Sequence, residues 1–220
     1  MTITESLKFI QSQLPAKVKL VAVSKTKGND QIYEAYLAGQ RRFGENKVQE
    51  VVKKWQELPK EIEWHFIGHL QNNKVKQLAP FISMIHSVDS LKLLSTINKE
   101  AEKCHRVIPV LLEFHIAREE SKFGLTLSEA EIILSLPETA AMKNISFSGV
   151  MGMATFTEDE KMIKAEFEQL NEIFHLLKDK YFSHNNQFCE ISMGMSDDFP
   201  IAVSAGSTLV RIGSKIFGSR

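Results

Sequence analysis

Short apolar runs alternate with amphipathic segments along the whole of this chain. The runs are KLVAVSK (19–25), RRFGEN (41–46), EWHFIG (63–68), MIHSVD (84–89), IPVLLEFHIA (108–117), ISFSGVMGMAT (145–155), FCEISMGMS (188–196) and TLVRIGSKIFG (208–218). Most are near-continuously apolar, as strands buried on both faces of a parallel sheet should be. Between them the period becomes helical. Val48, Val51, Val52, Trp55 and Leu58 fall on one helical stripe, with Asn46 where an N-cap belongs. Thr157 and Glu160 give the S/T-x-x-E capping signature ahead of Ile163, Phe167, Leu170, Phe174 and Leu177. Ser90 opens LKLLSTINKEAEK in the same role, and one further helix is predicted before the first run.

Eight strand candidates alternating with helices predict βαβ units, an α/β fold and a parallel sheet. Eight is the closure number of the TIM (β/α)8 barrel, and 220 residues lie near that fold's lower size limit. The rival, an open doubly wound sheet, would more often carry a GxGxxG turn after its first strand, and none is present. With no Pro/Gly/Ser-rich linker, the expectation is a single TIM barrel domain over residues 1–220 with an extra N-terminal helix.

Composition narrows the partners. The 27 basic and 27 acidic side chains cancel, which removes any bulk electrostatic reason to expect nucleic acid or an anionic membrane. No stretch approaches the roughly 18 apolar residues of a membrane span, and MTITESLKFIQSQL lacks the apolar core of a signal peptide. Cys104 and Cys189 are isolated thiols, neither a disulfide framework nor a CxxC metal site. A neutral, reduced, cytoplasmic protein is expected, as a monomer, although no edge or apolar patch is legible in the sequence to fix the oligomeric state.

In a barrel the chemistry lies at the C-terminal ends of the strands, which selects Lys25, Asn46, His69, Asp89, His115, Ser196 and 211–214. Lys25 shares a strand face with Val21 and Val23 by period two. A lysine facing inward is partly desolvated and suits Schiff-base chemistry, whereas one that snorkels into the following loop does nothing of the kind. His65 and His69 invite a zinc reading, but along a strand they would stand about 13 Å apart, so no metal is expected. His69 is then either a site-lining residue or an ordinary loop histidine.

The last two runs say more. Loops after barrel strands seven and eight are the recurrent phosphate site of the fold, and Ser196, Gly213 and Ser214 put small residues and hydroxyls there. The competing reading is that the glycines only shape tight corners. The span from Gly206 to Gly213 superficially resembles a P-loop, but the spacing and the order Gly-Ser-Lys are wrong. Arg211 shares a strand face with Gly213; buried there, its charge needs an anion, a ring-nitrogen acceptor or a structural carboxylate such as Glu190. The residues therefore describe a phosphate cup, a lysine on the opposite side of the mouth and an arginine between. That suits a phosphorylated carbonyl compound, with sugar phosphate and cofactor both open.

At these positions the chain resembles the pyridoxal-phosphate homeostasis proteins, barrels related to the N-terminal domain of alanine racemase. The resemblance runs through VAVSKTK (21–27), FGENKVQE (43–50), WHFIGHLQNNK (64–74), IHSVDS (85–90), ESKFG (120–124), SMGMSDDF (192–199) and GSTLVRIGSKIFG (206–218), almost the full length. It implies that Lys25 holds pyridoxal 5'-phosphate as an internal aldimine and that Arg211 faces the pyridine nitrogen. It further implies that Ser196, Gly213 and Ser214 bind the phosphate and that Asn46 lines the ring's face. Two departures stand out: His115 where the family commonly has Asn, and GVMGMATF (149–156), looser than the family's usual stretch.

The implied function is a carrier that buffers pyridoxal phosphate and related B6 vitamers, or delivers them to pyridoxal-phosphate-dependent apo-enzymes. Racemases of this kind take a second base from a separate β domain. Here the chain ends at Arg220, just after the eighth run, so no turnover is expected. The alternative is a narrow-specificity racemase using His69 or His115 as the missing base. Outside the family, a Schiff-base aldolase for a sugar phosphate predicts a colourless protein.

Overall fold

The computed structural model describes residues 1–119 and 123–218. In chain order it contains α1 (Ile3–Gln13), β1 (Lys19–Val23), α2 (Asn29–Leu37), β2 (Arg42–Glu45), α3 (Val48–Glu57), β3 (Glu63–Phe66), α4 (Val75–Leu78), β4 (Met84–Val88) and α5 (Leu91–Lys103). The second half adds β5 (Ile108–Phe114), α6 (Leu127–Ser135), α7 (Pro137–Ala140), β6 (Ile145–Gly152), α8 (Glu160–Tyr181), β7 (Glu190–Ser192), α9 (Phe199–Ser204), β8 (Leu209–Ile212) and α10 (Ser214–Phe217). Each of the eight apolar runs contains one strand. The strands pair in parallel, in sequence order, into a closed (β/α)8 barrel. Closure brings β8 directly beside β1, with Val21 opposite Arg211.

The runs overshoot their strands at the C-terminal end. The last one, 208–218, holds both β8 and the short helix α10, because a glycine at 213 breaks the extended run and Ser214 starts a helical turn. Capping follows the expected chemistry with two shifts. Ser90 caps α5 by accepting from Leu93 N–H. At α8 the cap is Asp159, which accepts from Lys161 and Met162 N–H, while the Thr157 hydroxyl takes the N–H of Asp159. A carboxylate at that end also meets the positive pole of the helix. At α3 the extended backbone continues through Lys47, so the N-cap is Lys47 without a side-chain bond, and Asn46 lies one residue too early to cap.

Two packing layers result. Outward-facing strand residues such as Phe43, Trp64, Ile85, Val110, Leu112 and Phe114 join helix residues, including Val51, Leu94, Phe167 and Leu170, in one apolar core. The predicted α8 stripe is buried throughout. On α3, Val48, Val51 and Leu58 are buried but Val52 and Trp55 only half so, and Lys54 is buried in their stead. Alternate residues face the lumen: Gly44, Val21, Val23 and Ile67 lie against one another there. At Gly149 the β5–β6 register slips by one residue. A Cβ there would come 1.8 Å from the Glu190 carbonyl oxygen at a φ of +150°, so only glycine lets β6 and β7 approach. Among the described residues, no helix is long and apolar enough to cross a membrane.

Candidate functional site

The mouth of the barrel is built from the residues that follow each strand. β1 ends at Val23, so Lys25 stands two residues past the strand, half-buried, and not within it as the apolar run suggests. Both its neighbours are anchored on the far side of the sheet. Ser24 donates from its N–H to the Gly44 carbonyl (3.0 Å) and from its hydroxyl to Glu45 Oε1 (2.6 Å). Thr26, at a φ of 66°, donates its N–H to Glu50 Oε2 (3.1 Å). Lys54, rising from α3, donates to the Ser24 carbonyl (2.9 Å) and to Glu45 Oε1 (2.7 Å). Burial still raises the Glu45 carboxyl above its ordinary value, against the pull of Lys54. With residues 24 and 26 fixed to the outer layer, Lys25 falls on the same parity as Val21 and Val23, the lumen side.

The candidate phosphate cup lies beside this lysine, not across from it. Gly213 packs on the end of β1: a Cβ there would sit 3.0 Å from the Val23 carbonyl oxygen and 3.3 Å from Val23 Cβ. Its N–H donates to the buried Ser196 hydroxyl at 3.3 Å. Ser214 is exposed and opens α10, whose first N–H groups have no acceptor within the helix. Lys27 closes the arrangement by donating to the carbonyls of Phe217 (3.1 Å) and Gly218 (3.0 Å), tying the loop after β1 to the end of α10. The β8–β1 pairing is why the opposite-side expectation fails. Gly206 keeps the structural reading of a tight corner, with φ +101° against Asn171, and the Ser207 hydroxyl lies within bonding reach of the Ile191, Met193 and Leu209 carbonyls.

Arg211 is buried in the lumen. It donates from Nη1 to the Ser192 carbonyl (2.8 Å) and hydroxyl (2.7 Å), and from Nη2 to the Gly152 carbonyl (3.1 Å). The carboxylate of Glu190 does not serve it: Glu190 takes Lys19 and the Thr208 hydroxyl instead. Burial lowers the guanidinium to about 10, opposed by the charges of Asp198 and Glu113. Nη1 is saturated, while Nε–H and one Nη2–H have no acceptor among the described residues. An acceptor atom arriving from the mouth is what this side chain lacks.

The two histidines of WHFIGHL go to different places. His65 is buried inside the barrel, with Nδ1 at 2.8 Å from His86 Nε2. His69 lies at the rim, 3.4 Å from Asp89 and stacked on Phe123 with ring centres 4.1 Å apart. A recess of about 400 Å³ opens beside it, lined by Asn72, Asp89 and Ser90 among others, and contains none of the lysine–cup residues. His115 is half-buried and donates from Nε2 to the Glu119 carbonyl at 2.8 Å.

Comparison with known proteins decides the family. The alanine racemase N-terminal domain model matches residues 2–220. The pyridoxal phosphate homeostasis protein of Pasteurella multocida is 37% identical over 237 residues, covering 100% of this chain and 98% of its own. That of Mus musculus is 42% identical over 219 residues, covering 94% of this chain and 79% of its own. This chain belongs to the pyridoxal phosphate homeostasis protein family. Among solved structures, PipY of Synechococcus elongatus PCC7942 with PLP bound superposes with a TM-score of 0.89 at 34% identity, covering 99% of this chain and 100% of PipY. An alanine racemase from Clostridium difficile shares the fold at a TM-score of 0.74 and 13% identity, and this chain matches 56% of its length.

Several residues of this family member escape a reading by motif. Glu45, Glu50 and Lys54 support the lysine's loop from behind, and nothing in a helical stripe marks Lys54 as buried. His86, Ser192 and Glu113 lie within runs that read as apolar strand. The glycine of WHFIGHL also has a site role. A Cβ on Gly68 would come 2.4 Å from the Asn46 carbonyl oxygen and 2.8 Å from Asn46 Cα. Gly68→Ala is therefore expected to displace Asn46 and to cost about 2 kcal/mol of stability, read as a lower urea midpoint; an unchanged midpoint would show that the β2 and β3 loops part without strain.

Proposed function

We propose that this chain is a pyridoxal 5'-phosphate carrier, one domain over 1–220, that holds the cofactor covalently on the Lys25 amine and does not turn over amino acids. The observation that carries the reading is the adjacency built by β8–β1 closure: Lys25, the Ser196–Gly213–Ser214 cup and Arg211 on one side of the mouth. In pyridoxal phosphate the phosphate arm and the aldehyde are neighbouring ring substituents, with the ring nitrogen across from the aldehyde. A cup beside the lysine and an unsatisfied donor set on Arg211 fit that layout. When bound, the cofactor would supply a reactive aldehyde, and the Lys25 amine would hold it.

The residues have separable tasks. Ser196 Oγ and the N–H groups at the start of α10 bind the phosphate as hydrogen-bond donors at the positive end of a helical turn. Arg211 donates to the ring nitrogen and, being a cation, keeps that nitrogen an acceptor. Asn46, half-buried at the end of β2, lines the face of the ring. The names of the relatives and the PLP-bound PipY structure support the binding role. We extend it to related B6 vitamers, which would share the cup and Arg211, and to release toward apo-enzymes, because a half-buried Lys25 would leave the bound group within reach of solvent.

A racemase would need a base across the ring. His69 lies at the rim beside Asp89 and Phe123, on a recess that contains none of the lysine–cup residues, and His115 donates from Nε2 to the Glu119 carbonyl; no contact sets either ring against the lysine–cup group. The deciding experiment is borohydride reduction of protein loaded with pyridoxal phosphate, followed by peptide mapping. A pyridoxyl group on the Lys25 peptide is expected. A label elsewhere, or none, overturns the site. Deuterium exchange at Cα across the common amino acids is expected to be absent; exchange at about 1 per second or faster would make the protein an enzyme.

A further inference from the structure

A continuous hydrogen-bond chain crosses the lumen beneath the proposed site. His65 on β3 meets His86 on β4 (Nδ1 to Nε2, 2.8 Å), and His86 Nδ1 meets the Ser192 hydroxyl on β7 at 3.0 Å. Ser192 Oγ in turn accepts from Arg211 Nη1 on β8 at 2.7 Å. β4 and β7 are not neighbouring strands, so the His86–Ser192 bond must pass through the barrel interior. All four residues are buried. A buried polar chain of this length is costly unless every member is satisfied.

The hydrogen bonds at Ser192 allow one direction only. Arg211 has no acceptor atoms, so it donates to Ser192 Oγ. Among the described residues, the Ser192 hydroxyl proton then has one acceptor, His86 Nδ1. If His86 carried its proton on Nδ1 instead, two donors would converge on Ser192 Oγ and the hydroxyl proton would be left buried without a partner, at a cost of about 1–3 kcal/mol. His86 is therefore the Nε2–H tautomer and donates to His65 Nδ1, which makes His65 the Nε2–H tautomer as well. Both rings are neutral. Burial, with Arg42 and Lys19 nearby, brings His65 down to about 3, and burial beside His65 and Arg211 holds His86 well below its ordinary value.

We propose that His65, His86 and Ser192 form a one-way hydrogen-bond chain that holds the Arg211 guanidinium toward the mouth, where it meets the cofactor's ring nitrogen. The assignment of the ring nitrogen rests on the function proposed above. Every dipole in the chain turns its acceptor end toward Arg211 and its donor end away. The chain thus supports the cation by hydrogen bonds to neutral groups, and the charges of Asp198 and Glu113 act on it without a hydrogen bond. Ser192 and His86 are positioning residues, acting on the ring only through Arg211.

The test has one arm without cofactor and one with it. In cofactor-free protein carrying ¹⁵N-histidine, imidazole NMR at neutral pH is expected to show His65 and His86 both as neutral Nε2–H tautomers. An Nδ1–H tautomer at either ring overturns the chain, whether or not Lys25 carries cofactor. In the loaded arm, Ser192→Ala is expected to keep the borohydride adduct on Lys25, to shift the resonance of ¹⁵N-labelled ring nitrogen, and to raise the pyridoxal phosphate Kd about tenfold, the worth of one hydrogen bond to a charged group. Ser192→Thr, which retains the hydroxyl, should restore both. Wild-type ring-nitrogen shift and affinity in Ser192→Ala overturn the positioning role. A missing adduct on wild-type Lys25 overturns the proposed function and, with it, the assigned target of Arg211.

Discussion

Lys25→Ala protein is expected to stay colourless in pyridoxal 5'-phosphate and to yield no pyridoxyl peptide after borohydride. The loss should be complete for the covalent bond and small for the fold. Lys25 is half-buried and outside β1, and the loop around it is held by Ser24, Thr26 and Lys27, each bonded through groups the substitution leaves in place. What remains is a non-covalent site of cup and arginine. Wild-type protein in cofactor at a hundred times its Kd gains about 2.7 kcal/mol of stability, which for a chain of this size corresponds to a rise in Tm of roughly 5–10 °C. The alanine variant should show a clearly smaller rise at the same concentration. An equal rise, with the colour intact, would move the covalent bond to another lysine.

The barrel could be read from the rhythm of the chain because its outer layer obeys a simple rule: strands and helices bury apolar faces against each other, and eight such units close. Phe167, Leu170, Phe174 and Leu177 illustrate it, spaced for one helix face and buried on it. The lumen obeys a different rule. Its polar residues satisfy partners on distant strands, as His86 does with Ser192 across 106 positions of sequence, and no local period can report such a pair. The same limit explains Arg211. Its need for a partner could be read from charge and position, but the choice between Glu190 and Ser192 depends on which lumen level each occupies. Adjacency of cup and lysine was equally hidden, since only ring closure makes the first and last strands neighbours.

Buried carboxyls in the lumen give the second large effect. Glu113 →Gln protein, free of cofactor, is expected to be more stable than wild type above neutral pH and no more stable at pH 4.5. Val110, Leu112 and Phe114 belong to the outer core, so Glu113 faces the lumen. It is buried, and its Oε2 has no hydrogen-bond partner among the described residues. Burial raises this carboxyl to about 7, with the charge of Asp89 adding to the shift and that of Arg211 opposing it.

The sign follows from linkage. Between the ordinary value of 4.5 and about 7 the native state holds a proton that the unfolded chain has lost. Stability therefore falls as pH rises through that window, by roughly 3 kcal/mol in all. The neutral amide carries no such penalty. His65 and His86 act in the opposite sense: their native values are depressed, so their contribution is present above 6.5 and is lost as pH falls below it. Because both proteins share the histidines, that slope cancels in the difference between them. Urea unfolding at pH 4.5, 6 and 8 should show the gap between Gln variant and wild type opening with pH, toward roughly 3 kcal/mol at pH 8. Parallel stability curves would mean that Glu113 stays ionised in the folded protein, and that Arg211 has a carboxylate neighbour after all.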